Sequence, residues 1–174
     1  VLGKDFSGDG ADRRREAAQA AFNAFPSLKL IASTARHLVS ADHHQLSARV
    51  DLRDSFAQTD EVDVTGIIDR IGAGDAFAAG VLHAHFAGGD ADALATTGLA
   101  LTCLKHSLPG DASLFGQADI DAFVDEILTF DANHFSRRAV LGGAMAIAAV
   151  PTYASKAQSH LRICLLYTSD AADE

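Results

Sequence analysis

The run Asp69-Arg70-Ile71-Gly72-Ala73-Gly74-Asp75-Ala76-Phe77 joins a predicted strand over 61–68 to a predicted helix over 73–86. The two glycines of the run let the backbone approach a ligand closely and adopt unusual dihedral angles. The first amides of the helix lack intrahelical partners, and the helix dipole favours an anion beside them. The turn is therefore a candidate phosphate-binding site with a carboxylate next to it.

The same run also has a purely structural interpretation. Asp75 lies in the first turn of the predicted helix, where a carboxylate stabilises the start of a helix whatever its other role. A bare Gly-x-Gly-Asp pattern fits both interpretations, so the choice between them depends on the rest of the chain.

Three segments together resemble the ribokinase-like (phosphofructokinase-B) carbohydrate kinases. The nine-residue run is similar to the C-terminal signature of that family, with Arg70 where the common pattern has Thr. The segments 103–111 (Cys-Leu-Lys-His-Ser-Leu-Pro-Gly-Asp) and 31–36 (Ile-Ala-Ser-Thr-Ala-Arg) resemble two further runs of the 2-keto-3-deoxygluconate kinase subgroup. The resemblance covers residues 1–130, and it is strongest to that subgroup.

The resemblance implies ATP-dependent phosphorylation of a sugar or sugar acid, first of all 2-keto-3-deoxygluconate to its 6-phosphate. Asp75 would be the catalytic base that accepts the proton of the attacking hydroxyl. The amides of Gly72, Ala73 and Gly74 would form an anion hole for the transferred phosphoryl group. ATP and Mg²⁺ are the implied cofactors, and ATP and a small sugar acid are the implied partners.

Four more residues receive roles by their position in the resemblance. Thr34, Arg36 and His106 are expected near the nucleotide, although a surface arginine and a polar helix end are simpler interpretations of Arg36 and His106. Asp69 is either a functional acid or a structural carboxylate that holds the loop, and the sequence leaves both open.

The predicted elements alternate between helix and strand. Helices are expected over 11–25, 73–86, 91–105 and 119–128, and strands over 28–32, 46–52 and 61–68, with a polar loop over 54–60. This alternation predicts an α/β fold with a largely parallel sheet. It agrees with the fold that the resemblance implies, the C-terminal part of a ribokinase-like, Rossmann-type α/β sandwich.

Composition limits the function classes. The net charge of −9 over 174 residues argues against nucleic acid or an anionic membrane as a partner. The two cysteines lie in different segments and predict no disulfide framework. The eight histidines form no convincing metal-site pattern, with His43-His44 in a predicted polar turn. The resemblance leaves a homo-oligomeric full-length protein open.

The region 1–130 corresponds only to the C-terminal part of such a kinase. We expect most sugar-contacting residues, and the Asn-x-x-Glu element that the family uses in magnesium handling, to lie upstream of Val1. As a fragment without those residues, the kinase part is expected to be inactive alone. Its expected location is the cytoplasm. Other ribokinase-like sugar kinases, of the fructokinase or ribokinase type, are alternatives within the same class.

The rest of the chain does not resemble a kinase. The segment 131–157 contains Arg137-Arg138 before an apolar stretch and resembles a twin-arginine export signal from a neighbouring gene. The tail 158–174 resembles, from about Cys164, a translated sequencing adapter without biological role; a short strand with an acidic end is its structural alternative. An exported, non-catalytic protein that begins at the twin-arginine segment is the alternative from a different function class.

Overall fold

The structure is a computed structural model that describes residues 10–129 and 162–167. The helices and strands of these ranges follow one another in this order: α1 Gly10–Ala24, β1 Leu28–Ser40, β2 His43–Leu52, β3 Phe56–Gln58, β4 Val62–Thr65, α2 Ala73–Phe86, α3 Ala91–Lys105, α4 Gln117–Thr129 and β5 Arg162–Tyr167. The segment 131–157, which resembles an export signal, lies outside the described residues. Of the tail 158–174, the structure describes only β5.

The sheet has the order β3-β2-β1-β5, with β4 paired to a second part of β2. Strands β1 and β2 form an antiparallel hairpin in which Thr34 lies opposite Ala48. Strands β3 and β4 are also antiparallel to β2. Among the described strands, only β5 pairs in parallel, and its partner is β1.

For the described strands, the expectation of a largely parallel sheet is therefore wrong. Its cause is the short connection between β1 and β2, which consists of Ala41 and Asp42 alone. A parallel pair needs a crossover of roughly a dozen residues, whereas a connection of two residues permits only an antiparallel hairpin. The sequence pattern predicts strands that end at Ala32 and begin at Leu46. In that pattern the two strands lie too far apart in the sequence for a hairpin, although β1 and β2 extend to Ser40 and His43.

Other strand boundaries also differ from the expectation. Strand β3 lies inside the predicted polar loop, and β4 is shorter than the predicted strand over 61–68. Strand β2 alternates in sequence like a half-exposed strand, yet it is buried along most of its length. The reason is its central place in the sheet, with α3 packed on one face and the Arg15 side chain of α1 bonded to Asp51 on the other.

The helices follow the sequence prediction closely. Helices α2 and α3 have the predicted bounds, and Asp90 caps α3 by accepting a hydrogen bond from the amide of Ala93 at 2.9 Å. Helices α1 and α4 differ from the prediction by one or two residues at their ends. In the described ranges, no helix combines the length and the apolar character that crossing a membrane requires.

Helices cover both faces of the sheet. On one face, α2 and α3 pack over Leu30, Ala32 and the inward side chains of β2 in the larger core. On the other face, Phe22 of α1 packs against Leu28 and Ile31 in a second, smaller core. The described chain is thus a layered α/β arrangement, as the sequence predicted.

Helices α2 and α3 approach each other closely through glycines. A Cβ on Gly80 would lie 2.7 Å from the carbonyl oxygen of Thr97, and a Cβ on Gly98 would lie 2.8 Å from the Phe77 ring. Real Cβ atoms do not make contacts this short, so the helix pair depends on both glycines. This contact fixes the start of α2, which carries the Gly-x-Gly-Asp turn, relative to the end of α3.

Candidate active site

The signature loop, which we define as Asp69–Gly74, leads into the N-terminus of α2. Gly72 precedes the helix with a φ of 77° and a ψ of 0°, a left-handed conformation that favours glycine. The Gly72 carbonyl accepts the Ala76 amide at 2.8 Å, and the Ala73 amide donates to the Arg70 carbonyl at 3.2 Å. Within the described ranges, the amides of Gly72 and Gly74 have no acceptor, so an anion at the helix N-terminus would meet them first.

Asp75 lies one residue further along, in the first turn of α2. Its side chain is exposed, and no hydrogen bond or ion pair from the described part of the chain engages its carboxylate. The group is therefore accessible to a hydroxyl group that approaches the same end of the helix. This placement is compatible with the predicted role as a base, which stays a prediction.

Asp69 is held by backbone amides at the start of the loop. One carboxylate oxygen accepts the Ile71 amide at 3.0 Å, and the other accepts the Gly110 amide at 2.8 Å. These two amides, the Ile71 amide foremost, lower the pKa of Asp69 below its usual value. Of the two roles that the sequence left open, this geometry favours the carboxylate that holds the loop.

The segment that follows α3 forms the wall of the signature loop. We call residues 106–111 the exit segment, because they follow the end of α3. The carbonyl of His106 accepts the Ile68 amide at 2.9 Å. At the other end, the backbone of Asp111 lies so close to Gly72 that a Cβ there would be 2.8 Å from the Asp111 carbonyl carbon. Two of the three segments that carry the family resemblance are therefore in direct contact.

His106 is buried, with 2% of its surface exposed. Its Nδ1 lies 2.7 Å from the carbonyl of Thr102, so Nδ1 carries the proton and donates it. Burial lowers the pKa of His106, so that the ring is neutral near pH 7. The predicted contact between His106 and a nucleotide remains a prediction, and in the described conformation the ring faces the protein interior.

Thr34 and Arg36 lie on the face of β1 that also carries Leu30 and Ala32, which is the face covered by α2 and α3. Thr34 is buried, and Arg36 is half-buried. The positive charge of Arg36 lowers the pKa of both His44 and His106, so all three residues lie close together. The structure thus places Arg36 on the same side of the sheet as the signature loop.

His44 and Arg70 belong to the same region, although the sequence did not predict a site role for either. His44 lies on β2, fully buried, and its ring meets the His106 ring edge-on at 6.1 Å. Among the described residues, neither of its ring nitrogens has a hydrogen-bond partner. Burial, followed by the charge of Arg36, lowers the pKa of His44 to about 4. The charge of Arg70 also lowers the pKa of His44.

The placement of His43-His44 in a polar turn is therefore wrong, because both residues belong to β2. His44 has the parity of Leu46, Ala48 and Val50, which all face the larger core. Extending that alternation by one more step would have predicted a buried histidine. Its neighbour His43 instead bonds Asp63 at 2.6 Å, near the surface.

Solved structures similar to this chain share its described fold. A PfkB family carbohydrate kinase from Listeria grayi is 30% identical, with a TM-score of 0.61 over 68% of this chain. A 2-dehydro-3-deoxygluconokinase from Thermotoga maritima is 27% identical, with a TM-score of 0.65 over 72% of this chain. The described chain has the fold of part of a PfkB carbohydrate kinase. A candidate 2-keto-3-deoxygluconate kinase from Enterococcus faecalis is 25% identical, with a TM-score of 0.64 over 78% of this chain.

The similarity to PfkB kinases is partial in length. This chain spans 36%, 38% and 39% of the three solved structures, in the order given above. No family model matches the sequence, and no curated protein sequence is significantly similar to it. The resemblance seen in the sequence to these kinases, and the ribokinase-like α/β fold expected from it, are both confirmed by the solved structures.

Proposed function

We propose that this chain is the C-terminal part of a kinase that transfers a phosphoryl group from ATP to a sugar acid. The observation that carries the proposal is the meeting of the signature loop with the exit segment at the start of α2. Each of these runs separately has a structural explanation. Their contact builds an anion-binding helix N-terminus beside an accessible carboxylate, which is the arrangement that phosphoryl transfer to a hydroxyl requires.

The roles follow from the geometry of the loop. The Gly72 and Gly74 amides and the dipole of α2 stabilise the charge on the transferred phosphoryl group. The Ala73 amide joins them once its 3.2 Å bond to the Arg70 carbonyl opens. Asp75 accepts the proton of the attacking hydroxyl group, because it is exposed at the same end of the helix.

The described residues fit ATP better than they fit a resident metal ion. Arg36 and Arg70 supply positive charge for the phosphates near the signature loop, with Thr34 on the same strand face as Arg36. In contrast, the described part of the chain contains no group of three or more residues that could hold a metal ion. Mg²⁺, whose handling the resemblance assigns to an upstream Asn-x-x-Glu element, would also bind phosphate oxygens and water, and no step is assigned to it.

The proposed substrate is 2-keto-3-deoxygluconate, phosphorylated to its 6-phosphate. Support comes from the two similar structures whose names carry that substrate or its synonym. A sugar kinase of the fructokinase or ribokinase type is the alternative within the same fold. A cytoplasmic location is proposed together with this activity, since ATP is the phosphoryl donor.

The test is a chimera in which residues 10–129 replace the corresponding part of the Thermotoga maritima kinase. ADP release is measured with 2-keto-3-deoxygluconate, fructose and ribose as acceptors. Asp75→Asn should lower turnover roughly 10²–10⁴-fold, the range for a lost general base. Asp92→Asn is the matched control, because Asp92 is an exposed acid in the first turn of α3.

Equal ADP release by Asp75→Asn and Asp92→Asn would refute the catalytic role and favour the structural interpretation of both acids. Preference for fructose or ribose would shift the proposal to the alternative substrates. In the chain itself, Asp75→Asn should leave ATP binding intact, which calorimetry measures directly.

A further inference from the structure

The carboxylate of Asp69 joins two segments that lie far apart in the sequence. It accepts the Ile71 amide within the signature loop and the Gly110 amide of the exit segment, 41 residues away. A carboxylate has an acceptor at each oxygen, so it satisfies both donors at once. An amide side chain has only one oxygen and would direct its NH₂ group at one of the two N–H groups.

Further hydrogen bonds connect α3 and the exit segment to the signature loop and to Ile68, the residue before it. The Thr102 hydroxyl donates to the Ala73 carbonyl at 3.3 Å, and the Thr102 carbonyl accepts His106 Nδ1 at 2.7 Å. The His106 carbonyl in turn accepts the Ile68 amide. The chain of bonds thus runs from the first residue of α2, through α3, back to the beginning of the signature loop.

Asp69 holds the exit segment at the place where that segment contacts Gly72. The backbone of Asp111 follows Gly110 directly and lies against Gly72, with no room for a Cβ. Holding the Gly110 amide therefore also holds the surface on which Gly72 rests. Without the Asp69 carboxylate, the exit segment would lose the described hydrogen bond that holds it next to Gly72, and the bonds through His106 and Thr102 lie at its other end.

We propose that Asp69 is a positioning residue that fixes the Gly72 and Gly74 amides in a phosphate-binding geometry by anchoring the exit segment. Because both carboxylate oxygens are engaged by amides, Asp69 acts through the loop and not on the substrate. The proposal rests on the proposed function, since it assigns the loop to the terminal phosphate of ATP. The depressed pKa of Asp69 agrees with a carboxylate that stays ionised in this bonding.

The first measurement tests the anchor without any ligand. Amide hydrogen exchange in the full chain is followed by NMR for wild type and Asp69→Asn. At least one of the Ile71 and Gly110 amides, the one that faces the NH₂ group of the new side chain, should exchange roughly ten- to a hundredfold faster in the variant, as expected for losing a hydrogen bond to a charged acceptor. Asp119→Asn is the matched control, because Asp119 accepts the Gly116 amide at 2.8 Å near the start of α4.

The second measurement separates positioning from general stability. Calorimetry compares the affinities of wild type, Asp69→Asn and Asp119→Asn for ATP and for ADP. If Asp69 aims the amides at the terminal phosphate, Asp69→Asn should reduce the preference for ATP over ADP several-fold and leave ADP affinity nearly unchanged. A merely structural role would weaken the binding of both nucleotides equally.

The two measurements test separately whether Asp69 anchors the exit segment and whether it positions the loop amides for a phosphate. Unchanged exchange at Ile71 and Gly110 in Asp69→Asn would overturn the anchor. Faster exchange with an unaltered preference for ATP would overturn the positioning role and leave Asp69 as a structural residue. A wild-type chain that binds neither nucleotide would count against the phosphate role and the proposed function together, while the exchange data would still decide whether Asp69 holds the loop.

Discussion

Replacing Gly72 with alanine should destabilise the chain far more than the same replacement at Gly88. Both glycines have positive φ values, 77° and 82°, so alanine is strained to a similar degree at each position. They differ in their surroundings. A Cβ on Gly88 has nothing within 4 Å, whereas a Cβ on Gly72 would lie 2.8 Å from the Asp111 carbonyl carbon and 2.9 Å from its Cα.

The magnitude follows from these two contributions. Left-handed strain costs a non-glycine residue roughly 1–2 kcal/mol, and this cost is common to both variants. At Gly72 the backbone of Asp111 must also move, and such overpacking typically costs about 1–3 kcal/mol. We therefore expect Gly88→Ala to lower the free energy of unfolding by about 1 kcal/mol and Gly72→Ala by about 3 kcal/mol.

Urea unfolding of the full chain, followed by circular dichroism, measures both values. The midpoint should fall in each variant with an unchanged m-value, since a changed slope would indicate a changed native or denatured state. The reasoning is refuted if the two variants differ by less than about 0.5 kcal/mol, the usual scatter of substitutions without a specific effect. That result would mean that the exit segment is free to move away from the signature loop.

Three further predictions concern stability. Because the pKa of His44 is lowered from 6.5 to about 4 in the folded chain, the unfolded chain binds more protons between these values. The free energy of unfolding should therefore fall as pH drops through 6.5, by about 1–2 kcal/mol between pH 7 and pH 5. His44→Leu should remove that part of the pH dependence, and an unaltered pH profile of stability in the variant would contradict the prediction. Gly98→Ala should lower the free energy of unfolding by roughly 1–2 kcal/mol despite alanine's better helix propensity, because its Cβ meets Phe77 and Val81 at 2.8 Å. A stabilised variant would show that α2 and α3 separate easily. Asp90→Ala should cost about 1 kcal/mol through the lost bond to the Ala93 amide, whereas Asp90→Asn should retain the cap, and equal melting temperatures for these two variants would argue against capping.

The local elements were predictable because their signals lie within a few residues. Helix α3 begins after a capping Asp90, and α2 begins after a glycine turn, and both helices end where the sequence predicted. The phosphate-binding character of the α2 start is also local, since it arises from the glycines and the orphan amides of one helix. These features needed no knowledge of the sheet.

The sheet required the tertiary structure. Sequence alternation located part of β1 and β2 but not the hairpin between them, because the apolar Leu38 and Val39 near the turn are exposed on β1 while the polar His44 is buried on β2. Antiparallel pairing and the central place of β2 follow from that hairpin and from the long-range contacts with α1 and α3. Periodicity within one strand carries no information about which strand or helix will cover it.

The candidate site also has features that the local sequence determines and features that depend on tertiary contacts. The sequence by itself determined the residues of the signature loop, the orphan amides of α2 and the acid in its first turn. Only the tertiary structure showed that Asp69 bonds Gly110, that the Asp111 backbone packs against Gly72, and that the His44 and His106 rings are in contact. The physical reason is that each of these contacts joins residues far apart in the chain, and such contacts are chosen by packing and not by local conformational preference.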